Sequence, residues 1–320
     1  MTSFQAVARI RRLFSIKKVG HCGTLDPFAD GVLPICLARS TAAVQFMDIY
    51  DKSYLVTFRL GKMTDTQDLE GEAVAVNTPT DADIERLLAD DAAVLRGHFI
   101  DMIGPQMQTP PIYSALKLDG RPLYSYARAG ETVDLSKKTR QITVHDAYFV
   151  DAYVDREWDS EAPLVVKAWI KCSKGSYIRT LVHDLGERLG FGAYCIALTR
   201  DSSGPYLLDD TVTFEQIEEQ MPEDPNEHPC LRTLDEALFY LPMVKLNEHQ
   251  AKRFAHGQFI ELEHLGTDDS ALYDAEHSWA AKSRFRVNGP NGLLGVGNIR
   301  KMDDAELKLA AERVFIKANE

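Results

Sequence analysis

The chain has 320 residues, 45% apolar and 26% charged, with a formal net charge of −12 at pH 7, and it is long enough for one large and one small globular domain. No apolar run approaches the roughly 18 residues of a membrane span, and the opening MTSFQAVARIRRLF carries no apolar signal-peptide core. Five scattered cysteines without a C-x-x-C pair exclude a disulfide framework and a zinc knuckle, and fit reduced thiols in the cytoplasm.

Taken in chain order, residues 3–14 read as a short basic amphipathic helix with Ser3 as N-cap and Val7, Ile10 and Phe14 on one face. A shaped loop, KKVGHCGTLDPFADGVLP (17–34), follows. Its glycines and prolines restrict the backbone, and Pro27 keeps Asp26 extended and out of any helix. A carboxylate on such a turn can be aimed as a nucleophile or base, although a lone Leu-Asp-Pro more commonly only reverses the chain. The apolar, Ala-rich run from Ile35 to Tyr50 reads as helical. Lys52 to Leu60 alternates as a strand, with Tyr54, Val56, Phe58 and Leu60 on one face, ended by Gly61. The acids of Thr64–Gly71 lack the spacing and closing Glu of a calcium loop. Thr80-x-x-Asp83 is a capping box for an amphipathic helix through Ile84, Leu87, Leu88, Val94 and Leu95.

Three prolines make 105–117 extended and exclude a central strand there; a basic helix covers 123–129. Alternation predicts strands over 142–154 and 164–172. After Gly175, a helix follows with Ile178, Leu181, Val182, Leu185 and Leu189 on one face. On it, His183 and Glu187 are four apart, but without H-E-x-x-H they read as a solvated face rather than a metal site. The acidic, proline-bearing stretch 221–229 reads as a linker, and 285–297 as a hairpin whose glycine spacing does not match a dinucleotide loop.

Negative net charge argues against a nucleic-acid partner, but its distribution reverses that inference. An acidic block runs from Asp209 to Glu227, while Lys and Arg concentrate at 9–18, 117–140 and 167–179. Local potential governs binding, so a positive surface for RNA is compatible with an acidic chain.

Four stretches now carry a resemblance. Lys18-Val19-Gly20-His21-Cys22-Gly23-Thr24-Leu25-Asp26-Pro27, with Gly31-Val32-Leu33-Pro34, closely resembles the catalytic motif of the TruB family of tRNA pseudouridine synthases. Asp51-Lys52-Ser53-Tyr54 with Leu60-Gly61 and Thr64-Asp65-Thr66, then Pro111 to Lys117, then Cys172 to Leu181, resemble its second, third and fourth motifs in the family's order. The resemblance implies an α+β catalytic domain over 1–238, with a mixed, mostly antiparallel sheet and a central cleft. A small PUA-like β-rich RNA-binding domain would occupy 239–320. It also implies the reaction: isomerisation of uridine 55 in the tRNA T loop, breaking N1–C1′ and making C5–C1′, with no cofactor and no metal, by a monomer acting on the T arm.

By the same resemblance Asp26 is the catalytic carboxylate and Arg179 its guanidinium partner, which favours the ionised form. Tyr54 stacks on the uracil and serves as the proton-abstracting base. The target base must be flipped out of its stack; His21 fills the vacated space, Tyr177 and Leu198 line the base pocket, and Asp68 contacts the substrate. Two departures stand out. Family members begin with a strand and a Lys-Pro turn before the residues matching Thr2-Ser3, so an edge strand and a structural lysine are expected to be missing. Cys22 replaces the usual Thr and sets an oxidisable thiol beside the loop. The competing readings are a non-catalytic tRNA-binding or tRNA-folding protein using the same cleft, and a carboxylate-based nucleoside hydrolase that would release free uracil.

Overall fold

Lys52–Leu60 forms the strand its alternation predicts, with Tyr54, Val56, Phe58 and Leu60 all buried. It lies inside a seven-stranded sheet made of β1 (Asp30–Gly31), β2 (Lys52–Leu60), β3 (Gly104–Gln108), β4 (Arg140–Val154), β5 (Leu164–Cys172), β6 (Ala193–Ser203) and β7 (Tyr206–Leu207). The spatial order is β7-β6-β2-β5-β4-β3, with β1 attached to β6. Only β1 against β6 is parallel; the other pairings are antiparallel, so the sheet is mixed and mostly antiparallel as expected. Pro105 lies in β3, an edge strand, where a missing N–H is tolerated.

The computed structural model describes residues 1–262, 265–267, 284–303 and 306–316. They divide into two compact units. The first comprises Met1, Leu25–Leu33 and Ile49–Thr211; the second comprises Thr2–Thr24, Pro34–Asp48 and Val212–Glu320. In the first, Ile84, Leu87, Leu95 and Phe99 of helix Asp81–Asp101 and Ile178, Leu181, Val182 and Leu185 of helix Ile178–Leu189 share one core with the sheet. Gly186 permits this packing, because a Cβ there would overlap the main chain at Gly192 and Ala193, where β6 begins. The Thr80–Asp83 capping box is present, but the helix it starts is interrupted: Asp90, Asp91 and Ala92 have φ of 51°, 58° and 57°. Two are aspartates, which tolerate the left-handed region better than branched residues.

The second unit holds the N-terminal helix, Ser3–Leu13, whose Ile10 packs with Phe14 and Ile217. Its N-cap is Thr2 rather than Ser3: the Thr2 hydroxyl accepts from the Gln5 amide, and Gln5 Oε1 accepts from the Thr2 amide at 2.8 Å. The helix expected over 35–50 is only partial. Ile35–Leu37 pairs as a strand with Val19–His21, Ala38–Ala43 is 3-10, and only Val44–Met47 is α-helical. Ala38, at φ 48°, separates strand from helix, a break that an apolar run does not announce.

The same unit contains a six-stranded sheet in the order Ile260–Glu261, Leu307–Val314, Gly292–Lys301, Arg284–Gly289, Met243–Lys245, Gly266–Thr267. Its core includes Val244, Phe254, Phe285, Val287 and Leu309, and the predicted hairpin is its Arg284–Gly289/Gly292–Lys301 pair. This is the small β-rich, PUA-like part. Among the described residues no helix is long and apolar enough to cross a membrane.

Candidate active site

Helix Ile178–Leu189 starts at Tyr177, whose amide donates to Gln108 Oε1 at 2.9 Å while its carbonyl accepts from Gln108 Nε2 at 3.0 Å. The clamp fixes where the first helical turn begins, and Arg179 lies on that turn. Arg179 is only 3% exposed, and its guanidinium makes five hydrogen bonds. Nε donates to Asp26 Oδ2 at 2.9 Å and Nη2 to Asp26 Oδ1 at 3.0 Å, a parallel two-point grip. Nη1 donates to Asp68 Oδ2 at 3.0 Å and to the Thr66 carbonyl at 2.6 Å; Nη2 also donates to the Tyr113 carbonyl at 2.8 Å. An arginine has five N–H groups, so this one is saturated and geometrically fixed.

Asp68 is buried, and its Oδ1 accepts from Thr66 Oγ1 at 2.6 Å and from the Glu70 amide at 3.0 Å. Asp26 differs: its side chain is 31% exposed. The loop that carries it is anchored by Phe28 and Ala29 against the sheet's core and by the Ala29 amide on the Asp26 carbonyl at 3.0 Å. The result is a carboxylate gripped from behind and open in front.

Tyr54 and Leu198 are buried in the same core cluster. Tyr54 on β2 faces Ile170 on β5 and Arg200 on β6, and burial pushes its phenol up to about 12, which keeps it protonated at rest. The Tyr177 ring lies 5.4 Å from the Arg140 guanidinium. Asp26, Asp68 and Arg179 are therefore one contact network, with Tyr54, Tyr177 and Leu198 in the same unit. His21 lies in the second unit, on strand Val19–His21, opposite Ile35. Cys22, expected as an oxidisable thiol beside the loop, is buried: its Sγ lies 3.7 Å from that of Cys36 and 3.5 Å from Met47 Sδ. His183, Asp184 and Glu187 bring potential metal-ligating atoms within 4.8 Å of one another on one helical turn.

Comparison with known proteins gives this geometry a lineage. Residues 11–178 match the family model described as "TruB family pseudouridylate synthase (N terminal domain)", and residues 179–239 match "tRNA pseudouridylate synthase B C-terminal domain". A "tRNA pseudouridine synthase B" of Geobacillus thermodenitrificans is 38% identical over 262 residues, 82% of each chain. One from Burkholderia lata is 37% identical over 318 residues, 99% of this chain and 88% of its own. The chain belongs to the TruB family.

Among solved structures, the archaeal box H/ACA sRNP Nop10–Cbf5 complex matches with a TM-score of 0.67 at 20% identity, covering 100% of this chain and 84% of that one. An H/ACA RNP bound to a substrate RNA containing 2′-deoxyuridine matches with a TM-score of 0.67 at 18% identity, covering 100% and 83%. These likenesses show the pseudouridine-synthase fold, and membership of the TruB family makes the chain a pseudouridine synthase.

Within this TruB-family site, sequence reasoning missed Gln108, Arg200 and the main-chain acceptors at Thr66 and Tyr113. The carbonyls leave no trace in residue type. Gln108 ends a proline-rich segment that reads as a connector. Arg200 sits among Thr199, Asp201 and Ser202 at the polar end of its strand, where a cation reads as exposed, and only its 1% exposure marks it.

Proposed function

We propose that the chain converts uridine 55 in the T loop of tRNA to pseudouridine, with Asp26 as nucleophile on a flipped-out base. The observation that carries this reading is the Arg179–Asp26 grip: a fixed guanidinium behind a carboxylate whose outer edge remains accessible. The curated relatives' names supply the substrate class.

The steps balance without any other reactant. An Asp26 oxygen bonds to C1′ as the N1–C1′ bond breaks, and the uracil leaves with the electron pair. The ring turns, C5 attacks C1′, and Asp26 is displaced. The proton then leaves C5, and N1 gains one. Arg179 opposes the charge on the carboxylate before attack and after release, which is electrostatic preorganisation. Tyr54 offers a ring to stack on the uracil and a phenol that acts as a relay, its own proton passing to N1 as it takes the one from C5. Tyr177 and Leu198 line the pocket, Asp68 holds Arg179 and meets the substrate, and His21 fills the space that the flipped base leaves. Residues 239–320 act as the PUA-like RNA-binding domain and residues 1–238 as the catalytic domain of a monomeric cytoplasmic enzyme.

The test is carbodiimide-dependent primer extension on an unmodified T-arm stem-loop. Wild type should produce a stop at the T-loop uridine, and Asp26→Asn should produce none. Bound RNA with no stop for either protein would leave a binding protein and sink the proposal; free uracil would indicate a hydrolase.

A further inference from the structure

Arg200 takes none of the five hydrogen bonds of Arg179, and it is one of the two largest fully buried side chains among the described residues. Removing a guanidinium from water is costly unless its donors are satisfied and its charge is used. Its neighbours are informative. The Val32 amide donates to the Arg200 carbonyl at 2.9 Å, and Arg200 Nε donates to the Val32 carbonyl at 2.6 Å. Val32 is thus held through its N–H and its C=O by the same residue. Beside it, Gly31 runs parallel to Arg200 with φ +97°, and a Cβ there would overlap the Arg200 main chain. On the adjacent strand Arg200 is the direct partner of Tyr54, so the two side chains stand side by side on one face of the sheet.

We propose that Arg200 is a positioning residue for the isomerisation, its single buried guanidinium fixing the far end of the Asp26 loop against the strand position that pairs with Tyr54. This rests on the roles of Asp26 and Tyr54 proposed above. The loop then has two arginine anchors. Arg179 grips the carboxylate, and Arg200 grips the main chain six residues later, where the loop enters the sheet as β1. Movement of the loop and reorientation of the phenol are coupled through one side chain.

The charge also matters. The groups acting on the Tyr54 phenol are Arg200 from β6, Cys172 from β5 and Asp26 from the loop, together with burial. Burial and the Asp26 carboxylate favour the neutral phenol, and the Arg200 guanidinium opposes them. A cation at this point therefore assists the moment at which the phenol passes its proton to N1 and takes the one from C5.

The experiment is single-turnover tritium release from a T-arm RNA labelled at uridine C5, across neutral to alkaline pH. It compares wild type, Arg200→Met, Arg200→Lys, Tyr54→Phe and the Arg200→Met/Tyr54→Phe double variant. Arg200→Met should slow release roughly 100-fold, the scale of a small misplacement of reacting groups. Its RNA affinity should stay within about threefold, since no phosphate contact is removed. The rising limb of its pH–rate profile should move to higher pH, and Arg200→Lys, which keeps the charge but loses the fork, should recover about tenfold. In the Tyr54→Phe background the Met substitution should cost at least about tenfold less, because the two residues act as a unit.

A wild-type rate and profile in Arg200→Met, or an unchanged cost in the Tyr54→Phe background, would overturn the proposal. If Arg200→Met does not fold, Arg200→Lys decides: a slowed, shifted profile supports the role and a wild-type profile refutes it. Wild type that binds RNA but releases no tritium would refute the reading of Asp26 and Tyr54, and this role with it.

Discussion

Arg179 and Arg253 face carboxylates at nearly the same distance, in the two different units. Arg179 meets Asp26 at 2.9 Å and Asp68 at 3.0 Å from a side chain 3% exposed; Arg253 meets Glu261 at 3.1 Å from one 31% exposed. The distances alone would rank the pairs as equals, but the surroundings do not. Water competes for the Arg253 pair, salt screens it, and its geometry is one choice among several. Around Arg179 every donor has an acceptor fixed by the fold, so the ion pair orients Asp26 and does not merely neutralise it. Burial with full satisfaction, rather than the existence of a salt bridge, separates a chemical site from ordinary surface charge.

The contrast can be broken at its strongest point first. Arg179→Met leaves Asp68 buried without its cation and should cost roughly 3–5 kcal/mol of stability, the range for stripping one partner from a buried pair. Chemical denaturation measures this, and pseudouridine formation should fall below detection in the same protein. Arg179→Lys should retain part of the stability but not the two-point grip, and so should remain severely impaired.

Gly186→Ala tests whether the helix bearing Arg179 must lie this close to β6. The added methyl meets backbone rather than a movable side chain. A loss of about 1–3 kcal/mol is expected, as for other overpacked sites, with activity per folded molecule reduced as the helix moves out.

Tyr54 gives a pH signature of burial. Its phenol is pushed up to about 12, against about 10 for an ordinary tyrosine. Between those values the unfolded chain has released the proton and the folded chain still holds it. This contribution to stability is therefore complete below about pH 10 and is lost as pH rises toward about 12. Tyr54→Phe should show a shallower alkaline loss of stability than wild type in denaturation curves; an equal loss would mean that the phenol is not buried in solution. Last, Arg253→Ala should change stability by no more than about 1 kcal/mol and that effect should fade with salt. A larger loss would erase the comparison.

Legibility in the sequence followed the same division. β2 and β5 were readable because each alternates over a face that must be buried, and helix Ile178–Leu189 because its apolar residues repeat every three to four positions. The run 35–50 was not, since a short apolar stretch has no period and strand pairing claimed its first residues. Motif order brought Asp26 and Arg179 to attention before any geometry existed. Asp68 was harder to place, because its acidic, polar loop looks exposed in sequence, whereas the fold buries it with its Oδ2 on the Arg179 guanidinium. The same blindness hid Arg59, which lies on the opposite face of β2 from Phe58 yet is buried, paired with the Asp155 carboxylate, bonded to the Asp155 and Ala162 carbonyls and set against the Trp158 ring. Satisfaction of a buried cation by distant carboxylate and main-chain oxygens is a property of the fold, and residue type does not encode it locally.

The most direct test of the account is whether Asp26 acts on bound RNA. Tritium release from C5 of the T-loop uridine should be measured under single turnover for wild type and Asp26→Asn, with RNA affinity determined on the same preparations. The account predicts rapid release by wild type and a loss of at least about 10⁴-fold in the variant, the scale of removing a nucleophile, at nearly unchanged affinity. Release by Asp26→Asn at a rate near that of wild type would contradict it.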